Sequence, residues 1–221
     1  MNTIPVIALD GPGGVGKGTV GRALAERLAW HYLDSGALYR VAAYAALTRG
    51  LEAAHPEPIA ALIPDLDIAC IGETIRLDGE DVSREIREEE VGRLASAIAP
   101  SGAVRAALMN RQRAFRRAPG LVADGRDMGT VVFPDAILKV FLTASAEERT
   151  RRRYKQLKEQ GIDVKLSGLH RELGERDERD AGRAIAPLKP APEAVVVDTT
   201  AQSAAAVVER VLGLAREALG D

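Results

Sequence analysis

Residues 4–19 read Ile-Pro-Val-Ile-Ala-Leu-Asp-Gly-Pro-Gly-Gly-Val-Gly-Lys-Gly-Thr, and this stretch decides the fold of the chain. Its first part, residues 4–9, is a short apolar run of the kind that forms a buried parallel strand. The glycines that follow allow positive φ angles, so that successive backbone N–H groups can point at one anion. A helix begins near Lys17, and the positive end of its dipole also favours an anion. The sequence therefore predicts a strand, a phosphate-binding loop and a helix in direct succession.

The predicted phosphate-binding loop consists of Gly11, Pro12, Gly13, Gly14, Val15, Gly16, Lys17, Gly18 and Thr19. Lys17 is expected to reach the β and γ phosphates of a nucleotide, and Thr19 to help hold the phosphate or the shell of a magnesium ion. The common form of this motif has Ser or Thr directly after the lysine, whereas Gly18 stands there. The spelling Gly-Lys-Gly-Thr is similar to that of nucleoside monophosphate kinases, and it argues against GTPase switches and large motor ATPases.

Four further short apolar runs predict more strands of the same sheet, at residues 31–33, 121–123, 136–142 and 194–197. Because strands alternate with helical stretches, we expect an α/β, doubly wound fold with a five-stranded parallel sheet. Ser145 and Glu148 have the spacing of a capping box, which predicts a helix from residue 145 to about residue 160.

Residues 66–83 depart from this alternation of strands and helices. Polar and apolar residues alternate strictly at 74–78, with turn signals at 72–73 and 78–79. This pattern predicts a small antiparallel meander inserted into the α/β domain. Cys70 falls in it and is interpreted as one of its apolar residues.

Composition limits the possible classes of protein. With 221 residues, 46% of them hydrophobic and 28% charged, the chain can bury a sizeable core, which excludes a disordered polymer. A single cysteine cannot form an intramolecular disulfide, and no apolar run approaches the roughly 18–20 residues that cross a bilayer. We therefore expect a cytoplasmic protein without a membrane segment.

Charge is segregated along the chain. The net charge is only −2, yet residues 105–183 carry a local charge of +6 and the remainder −8. Arginine outnumbers lysine, 24 to 6, and its planar fork pairs with carboxylate or phosphate in bidentate fashion. An anionic ligand would explain the clustering.

Two polar clusters follow further predicted strands. Asp34-Ser35-Gly36-Ala37-Leu38-Tyr39-Arg40 follows the second, and Asp124-Gly125-Arg126-Asp127-Met128-Gly129-Thr130 follows the third. Ligands of open α/β sheets bind at the carboxyl ends of the strands. Both clusters are therefore expected at the same edge of the sheet as the phosphate-binding loop.

With these residues the chain resembles the bacterial cytidylate kinases, which phosphorylate CMP and dCMP with ATP. Besides the loop and residues 34–40, the matching segments are Arg-Gln-Arg-Ala-Phe at 111–115, Asp-Gly-Arg-Asp-Met-Gly-Thr-Val-Val-Phe-Pro-Asp at 124–135 and Glu-Arg-Asp-Glu-Arg-Asp at 175–180. They occur in the expected order between residue 4 and about residue 200. Gly13 stands where Ser is usual, which matters little because the loop acts through its backbone.

The resemblance implies a set of residues that bind CMP. Cytosine would be surrounded by Ser96, Arg105, Arg126 and Asp127. The acceptor phosphate would be held by Arg40, Arg126 and Arg183, and the ribose would be reached by Arg176 and Asp180. The set is completed by Ser35 and Asp124. The chemistry of the base agrees, since cytosine N4 donates to a carboxylate while N3 and O2 accept from Arg and Ser. Uracil lacks that donor, so we expect discrimination against UMP worth about 1–3 kcal/mol.

The resemblance also implies a magnesium ion and an internal division of the domain. Mg²⁺ would arrive with ATP and have no direct protein ligand, while Asp34 and Asp124 would organise its water shell. The single domain, 1–221, would divide into a core at 1–40 and 100–221 and a monophosphate-binding part at 41–99 that contains the meander.

A lid at residues 150–170, bracketed by the glycines at 161 and 168, is implied as well, and it would close over ATP. Arg149, Arg152 and Arg153 share one helix face by their spacing, which is most often a merely solvated face. In this family context Arg153, and secondarily Arg149, would neutralise the transferring phosphoryl group. The predicted catalytic set is Lys17, Arg126, Arg153 and Arg183.

The acceptor would already be a phosphate anion, so phosphoryl transfer needs positioning and charge stabilisation rather than a general base. The three histidines at 31, 55 and 170 form no metal-binding spacing and are interpreted as structural or surface residues.

Two other interpretations stay open. A kinase for a small hydroxylated metabolite such as shikimate would share the loop and the size but would need a general base. A nucleic-acid-binding module would use the +6 segment, against which stand a pI near 6.0 and only 4% aromatic residues. We expect ATP and CMP or dCMP as partners, neither nucleic acid nor membrane, and a monomer.

Overall fold

The computed structural model describes residues 4–72, 74–159 and 165–220, which form two compact units. Unit 1 comprises Met1–Leu33 and Phe115–Asp221, and unit 2 comprises Asp34–Ala114. In chain order, the elements that lie in unit 1, or begin in it, are β1 (Val6–Asp10), α1 (Lys17–Leu28), β2 (His31–Asp34), β6 (Leu121–Gly125), β7 (Leu138–Thr143), α6 (Ala146–Glu159), α7 (Leu166–Ala181), β8 (Val195–Asp198) and α8 (Ala204–Leu219).

The five strands of unit 1 form one parallel sheet in the order β2-β6-β1-β7-β8, which confirms the predicted doubly wound sheet. β1 is the central strand, and its Ile7 lies opposite Val122 of β6 on one side and Leu138 of β7 on the other. Every residue of β1 is buried, as expected for a strand covered on both faces. The central strand therefore holds the start of the glycine-rich loop in a fixed place.

One hydrophobic cluster joins this sheet to the helices that cover it. Leu24 of α1 and Val211 of α8 are both fully buried, and they belong to the same cluster as Val122 and Val140 of the sheet. Burial of a side chain of this size stabilises the fold by about 1.5–3 kcal/mol. The helix that follows the loop is thus anchored along its length by packing.

Unit 2 is built from helices and a small sheet. Its elements are α2 (Ser35–Leu47), α3 (Pro56–Leu62), β3 (Ile68–Ile71), β4 (Thr74–Leu77), β5 (Glu80–Asp81), α4 (Glu89–Ile98) and α5 (Gly102–Ala114), with 3₁₀ turns at Ile63–Asp65 and Glu85–Arg87. Strands β3, β4 and β5 are antiparallel neighbours in that order, which confirms the meander.

The apolar interpretation of Cys70 is wrong, because this residue is exposed. The apolar face of the meander packs against α2 through Ile68, Ile75 and Leu77. Cys70 lies two residues beyond Ile68, opposite Ile75 and next to the exposed residues 71 and 72. Alternation in sequence identifies the face of a strand but not how exposed the end of that face is.

The capping box at the start of α6 is formed only in part. Ser145 Oγ accepts a hydrogen bond from the backbone N–H of Glu148 at 3.2 Å, as predicted. The Glu148 carboxylate, however, accepts from Arg151 and Arg152 at 2.8 Å, and the Ser145 N–H donates to Thr200 Oγ1 at 3.0 Å. The Glu148 carboxylate therefore pairs with two arginines and not with the backbone N–H of Ser145.

In the described part of the chain, no helix combines the length and the apolar character that crossing a bilayer would require. Residues 160–164, in the middle of the predicted lid and including Gly161, lie outside the described residues, while Gly168 lies in α7.

Candidate active site

The glycine-rich loop connects the buried end of β1 to the first turn of α1. Gly11, Gly14 and Gly16 have φ angles of +148°, +80° and +93°, which L side chains rarely adopt. A β-carbon on Gly11 would also collide with the carbonyl oxygen of Leu142 in β7. The loop conformation thus depends on glycine at these positions. Thr19 lies exposed on the first turn of α1.

Cationic side chains bind the carbonyl side of this loop. The contacts are Lys17 Nζ to Pro12 O at 2.8 Å, Arg149 Nη1 to Gly13 O at 3.2 Å and Arg152 Nη1 to Val15 O at 3.3 Å. In a trans peptide the C=O and the following N–H point in opposite directions. Fixing these carbonyls therefore fixes the directions of the N–H groups of residues 13, 14 and 16, each of which points away from the cation on the preceding carbonyl.

Of the three arginines predicted to share one face of α6, Arg149 and Arg152 donate to carbonyl oxygens of the loop. Arg149 is buried, also pairs with Asp177 of α7, and its Nε is buried without a hydrogen-bond partner in the structure as described. Arg152 additionally donates to the carbonyl oxygen of Thr199 at 2.6 Å. Arg153 Nη1 donates to Gln156 Oε1 at 3.0 Å, one turn along its own helix.

Lys17 is almost fully buried, with 6% of its surface exposed. Burial lowers its pKa to about 7, and the positive charges of Arg126 and Arg176 act in the same direction, whereas Asp124 and Asp10 oppose them. Near neutral pH this lysine therefore changes protonation state easily, and a bound polyphosphate would favour its charged form.

Asp10, the last residue of β1, fixes the backbone of the segment that follows β6. Its carboxylate accepts hydrogen bonds from the N–H groups of Met128 and Gly129, both at 2.8 Å. The pKa of Asp10 is raised to about 6, mainly by burial and also by the nearby charge of Asp127. The two backbone hydrogen bonds act in the opposite direction. The carboxylate thus connects the strand before the loop to the predicted base-reading segment.

Arg126 lies beside the loop and belongs to a buried ionic cluster. A β-carbon on Gly13 would lie 3.9 Å from Arg126 Nη2, so the guanidinium faces the loop. Arg126 Nε donates to Asp180 Oδ2 at 3.0 Å, and Arg183 donates to the other carboxylate oxygen of Asp180. Asp180 is only 1% exposed.

The charge of Asp180 is stabilised by these cations. Burial by itself would raise the pKa of Asp180, but Arg126, Arg183 and Arg176 lower it below the ordinary value. Asp124 and Asp177 also stabilise the positive charge of Arg126, so the arginines of this cluster are kept charged. Charged arginines suit a phosphate, to which they donate bidentate hydrogen bonds.

In unit 1 the structure thus brings together the loop, Asp124, Arg126, Arg176, Asp180 and Arg183. Asp127 is buried at the same turn.

The other predicted CMP-binding residues lie on three helices of unit 2: Ser35 and Arg40 on α2, Ser96 on α4 and Arg105 on α5. Ser96 Oγ is buried without a hydrogen-bond partner within the described residues, as expected of a group that awaits a ligand. Arg40 Nη1 donates to Ile86 O at 2.9 Å, and Arg105 Nη1 to Ala99 O at 3.4 Å.

The two carboxylates expected near magnesium already have structural contacts. Asp34 caps α2 by accepting from Ala37 N at 3.0 Å, and Asp124 accepts from the Tyr32 hydroxyl at 3.1 Å. Among the described residues no cluster of three His, Cys, Asp or Glu side chains could hold a metal ion by itself. This fits Mg²⁺, which usually binds through one or two carboxylates together with substrate phosphates and water.

Sequence reasoning missed several residues of this site. Asp10 could have been found from its position, directly between a buried strand and the first glycine of the loop. Asp177 gave no such signal, because its partner Arg149 lies on another helix, 28 residues earlier in the chain. Thr130, whose Oγ1 is buried without a hydrogen-bond partner in the part of the chain that is described, was also not singled out.

Comparison with known proteins identifies the relatives of the chain. The profile of the family described as Cytidylate kinase matches residues 7–217. A cytidylate kinase of Pseudomonas aeruginosa is 57% identical over 215 residues, covering 95% of this chain and 94% of its own length. One from Aeromonas hydrophila is 56% identical over 221 residues, covering 98% and 96%.

Solved structures support the fold at a more distant level. An uncharacterized protein from Eubacterium ventriosum aligns with 96% of this chain and 97% of its own, with a TM-score of 0.51 and 11% identity. At that identity the likeness concerns the fold alone.

Proposed function

The chain belongs to the cytidylate kinase family, and from this premise we propose that it transfers the γ-phosphoryl group of ATP to CMP and dCMP. The observation that carries the proposal lies in unit 1. There the buried Lys17 and the partly buried Arg126 flank one glycine-rich loop, and the Asp180 carboxylate, which also binds Arg183, fixes Arg126 in place.

In the proposed reaction an oxygen of the CMP phosphate forms a bond to the γ-phosphorus of ATP. The bond from that phosphorus to the β–γ bridging oxygen breaks, so that CDP and ADP are the products. Neither step requires a proton to be removed from the acceptor, because the attacking oxygen already carries negative charge.

On the donor side we propose that residues 11–19 bind the phosphates of ATP. The N–H groups directed away from the cation-bound carbonyls would bind the phosphate oxygens, and Lys17 would reach the β and γ phosphates. Mg²⁺ when bound would neutralise phosphate charge, with Asp34 and Asp124 near its water shell. A carboxylate has about four lone-pair sites, so Asp34, which accepts from Ala37 N, can accept further hydrogen bonds from such a shell, and this supports the assignment.

On the acceptor side the proposed phosphate ligands are Arg40, Arg126 and Arg183, and the proposed cytosine contacts are Ser96, Arg105, Arg126 and Asp127. The unpartnered hydroxyl of Ser96 supports its role. Arg176 and Asp180 are proposed for the ribose. Each oxygen of Asp180 accepts from one arginine, which leaves further lone pairs for a ribose hydroxyl. Ser35 and Asp124 complete the set.

We further propose that residues 150–170 act as a lid and that Arg153 approaches the transferring phosphoryl group. Arg153 lies on α6, the helix whose Arg149 and Arg152 bind the loop carbonyls, which places its backbone near the donor side. Closure of such a segment would exclude water and so prevent hydrolysis of ATP. We propose residues 41–99 as the monophosphate-binding part; unit 2 spans them and extends further at both ends.

Small nucleotides rather than nucleic acid are the proposed partners, because acidic residues are interspersed among the arginines. We also propose that the protein acts as a monomer and that its location is cytoplasmic.

The test is the release of ADP from MgATP with CMP, dCMP, UMP, AMP and shikimate compared side by side. CMP and dCMP should be phosphorylated, and UMP should react roughly 10–100 times less efficiently in kcat/KM, since a buried Asp127 would face an acceptor oxygen. Equal rates with UMP and CMP would contradict the cytosine contacts. A reaction with shikimate and with no nucleotide would contradict the proposed function itself.

A matched pair of variants separates the two nucleotide sites. Asp127→Ala should reduce the preference for CMP over UMP while the KM for ATP stays nearly constant. Lys17→Met should instead abolish transfer with every acceptor. A selective loss of ATP binding in Asp127→Ala would show that its role is misassigned.

A further inference from the structure

The buried amide of Gln112 in unit 2 has no role in the proposed reaction so far. Gln112 lies on α5 and is only 2% exposed. Its Nε2 donates a hydrogen bond of 2.8 Å to Ser35 Oγ, and Ser35 is itself only 4% exposed. Glutamine at a fully buried position is unfavourable unless its amide is hydrogen-bonded, so a specific partner is required.

This contact determines what the Ser35 hydroxyl can offer a ligand. A hydroxyl has one proton to donate and two lone pairs to accept. Because one lone pair accepts from Gln112, the proton of Ser35 remains available for an oxygen elsewhere. The direction of the hydrogen bond thus makes Ser35 a donor, which suits a group made only of acceptors.

The position of Ser35 indicates which group of the nucleotide that is. Ser35 is the first residue of α2, and Asp34 caps the helix by accepting from Ala37 N. The N–H of Ala37 is taken by Asp34, but the positive end of the helix dipole still favours acceptor oxygens at the same place. Phosphate oxygens are pure acceptors, whereas ribose hydroxyls both donate and accept.

We infer that Gln112 is a positioning residue, which holds the Ser35 hydroxyl as a donor to the phosphate of the bound monophosphate. The inference rests on the proposed function and assigns a task to a residue that touches no substrate. Gln112 acts through Ser35 alone, so its contribution should vanish when the hydroxyl is absent.

The experiment is a double-mutant cycle of Gln112→Met and Ser35→Ala, with KM and kcat measured for ATP, CMP and dCMP. Methionine has nearly the shape of glutamine but cannot donate. Each single variant should raise the KM for CMP about fivefold, the effect of one lost hydrogen bond, and leave the KM for ATP within about twofold. The double variant should match Ser35→Ala, because coupled residues are not additive.

Leu108→Val is the matched control, since Leu108 is fully buried one turn earlier on the same helix. It should lower the melting temperature without changing the KM for CMP, which separates a packing defect from lost positioning. Gln112→Asn, which keeps the amide but shortens its reach, should not restore the wild-type KM.

Specific outcomes would overturn the inference. One is a double variant whose loss is the product of the two single losses, and another is an equal rise of the KM for ATP and CMP. A fivefold effect with CMP but none with dCMP would assign the hydroxyl to the ribose and not the phosphate. If the wild-type protein phosphorylates neither nucleotide, the proposed function fails before the cycle begins, so the two failures are distinguishable.

Discussion

Asp10 at the end of β1 and Asp180 near the end of α7 are both buried carboxylates in unit 1, yet their surroundings shift their pKa values in opposite directions. Asp10 accepts from two backbone N–H groups, which are neutral. Asp180 accepts from two guanidinium groups, which are charged. Burial raises the pKa of both, and only the arginines outweigh it.

The difference shows how the protein separates two tasks. A carboxylate such as Asp10, which only holds two backbone N–H groups in place, needs acceptor oxygens in the right positions. A pKa near 6 does not prevent this role. A carboxylate that fixes cations for an anionic ligand needs its charge at every working pH. Neutral donors are thus used for the first task, and ion pairs for the second.

The largest expected effect comes from removing the charge of Asp180. Asp180→Asn leaves Arg126 and Arg183 buried together without a counter-ion, which should lower the free energy of unfolding by about 3–5 kcal/mol at pH 7. Because the pKa of Asp180 is lowered in the folded state, its contribution is present above about pH 4 and is lost as the pH falls further. Urea unfolding followed by the fluorescence of Trp30, the single tryptophan, measures it.

Glu209→Gln is the control for this variant, because Glu209 forms an exposed pair with Arg27. It should change the free energy of unfolding little. An Asp180→Asn protein as stable as the wild type at pH 7 would mean that the arginines do not depend on this carboxylate.

Asp10→Asn should give the opposite pH dependence. The pKa of Asp10 is raised from 3.8 to about 6, so its favourable contribution is complete below about pH 4 and is lost as the pH rises through 6. At about 1.4 kcal/mol for each factor of ten in proton affinity, the loss is about 3 kcal/mol. The stability of Asp10→Asn relative to the wild type should rise by this amount between pH 4 and pH 7.

The same unfolding experiment, repeated from pH 4 to pH 8, measures this slope. A stability difference between Asp10→Asn and the wild type that does not change with pH would show that burial does not dominate at Asp10. The contrast between the two carboxylates would then disappear.

Lys17 extends the comparison to a buried cation. Its pKa of about 7 should rise when the phosphates of ATP bind beside it, so binding at pH 8 should take up about one proton. The affinity for ATP should consequently fall up to about tenfold for each pH unit above 7. Isothermal titration calorimetry in buffers of different ionisation enthalpy measures the uptake, and its absence would contradict a neutral lysine in the free protein.

The smallest effect concerns the helix that carries Asp180. A β-carbon at Gly174 of α7 meets open space, so Gly174→Ala should stabilise the protein by about 0.5–1 kcal/mol without altering any charge. Gly16 also faces open space, but its φ of +93° makes Gly16→Ala destabilising. Thermal unfolding that shifts in the same direction for both variants would contradict this contrast.

The fold could be predicted from sequence wherever one local pattern was enough. Apolar runs identified all five parallel strands, and strict alternation identified the meander. Failures occurred where the surroundings of a side chain, and not one pattern, decide the outcome. Cys70 is exposed at the end of its strand, and the Glu148 carboxylate accepts hydrogen bonds from two arginines.

The candidate site divides in the same way. The glycines and Lys17 are adjacent in sequence, and Arg126 follows a strand end, so their proximity in unit 1 was predictable. The contact of Arg149 with Gly13 O spans 136 positions, and that of Gln112 with Ser35 spans 77. Neither pair could be recognised from a local sequence pattern, because these contacts depend on how separate parts of the chain pack.

The central place of β1 has a consequence for synthesis on the ribosome. β1 occupies Val6–Asp10, but its hydrogen-bonded neighbours are Leu121–Gly125 and Leu138–Thr143. β1 therefore cannot pair with either neighbour until more than half of the chain has been made, on the order of ten seconds after β1 appears at typical elongation rates. The residues of unit 2 are all made in that interval, so the segment translated in the middle can fold first while the opening strand awaits its partners.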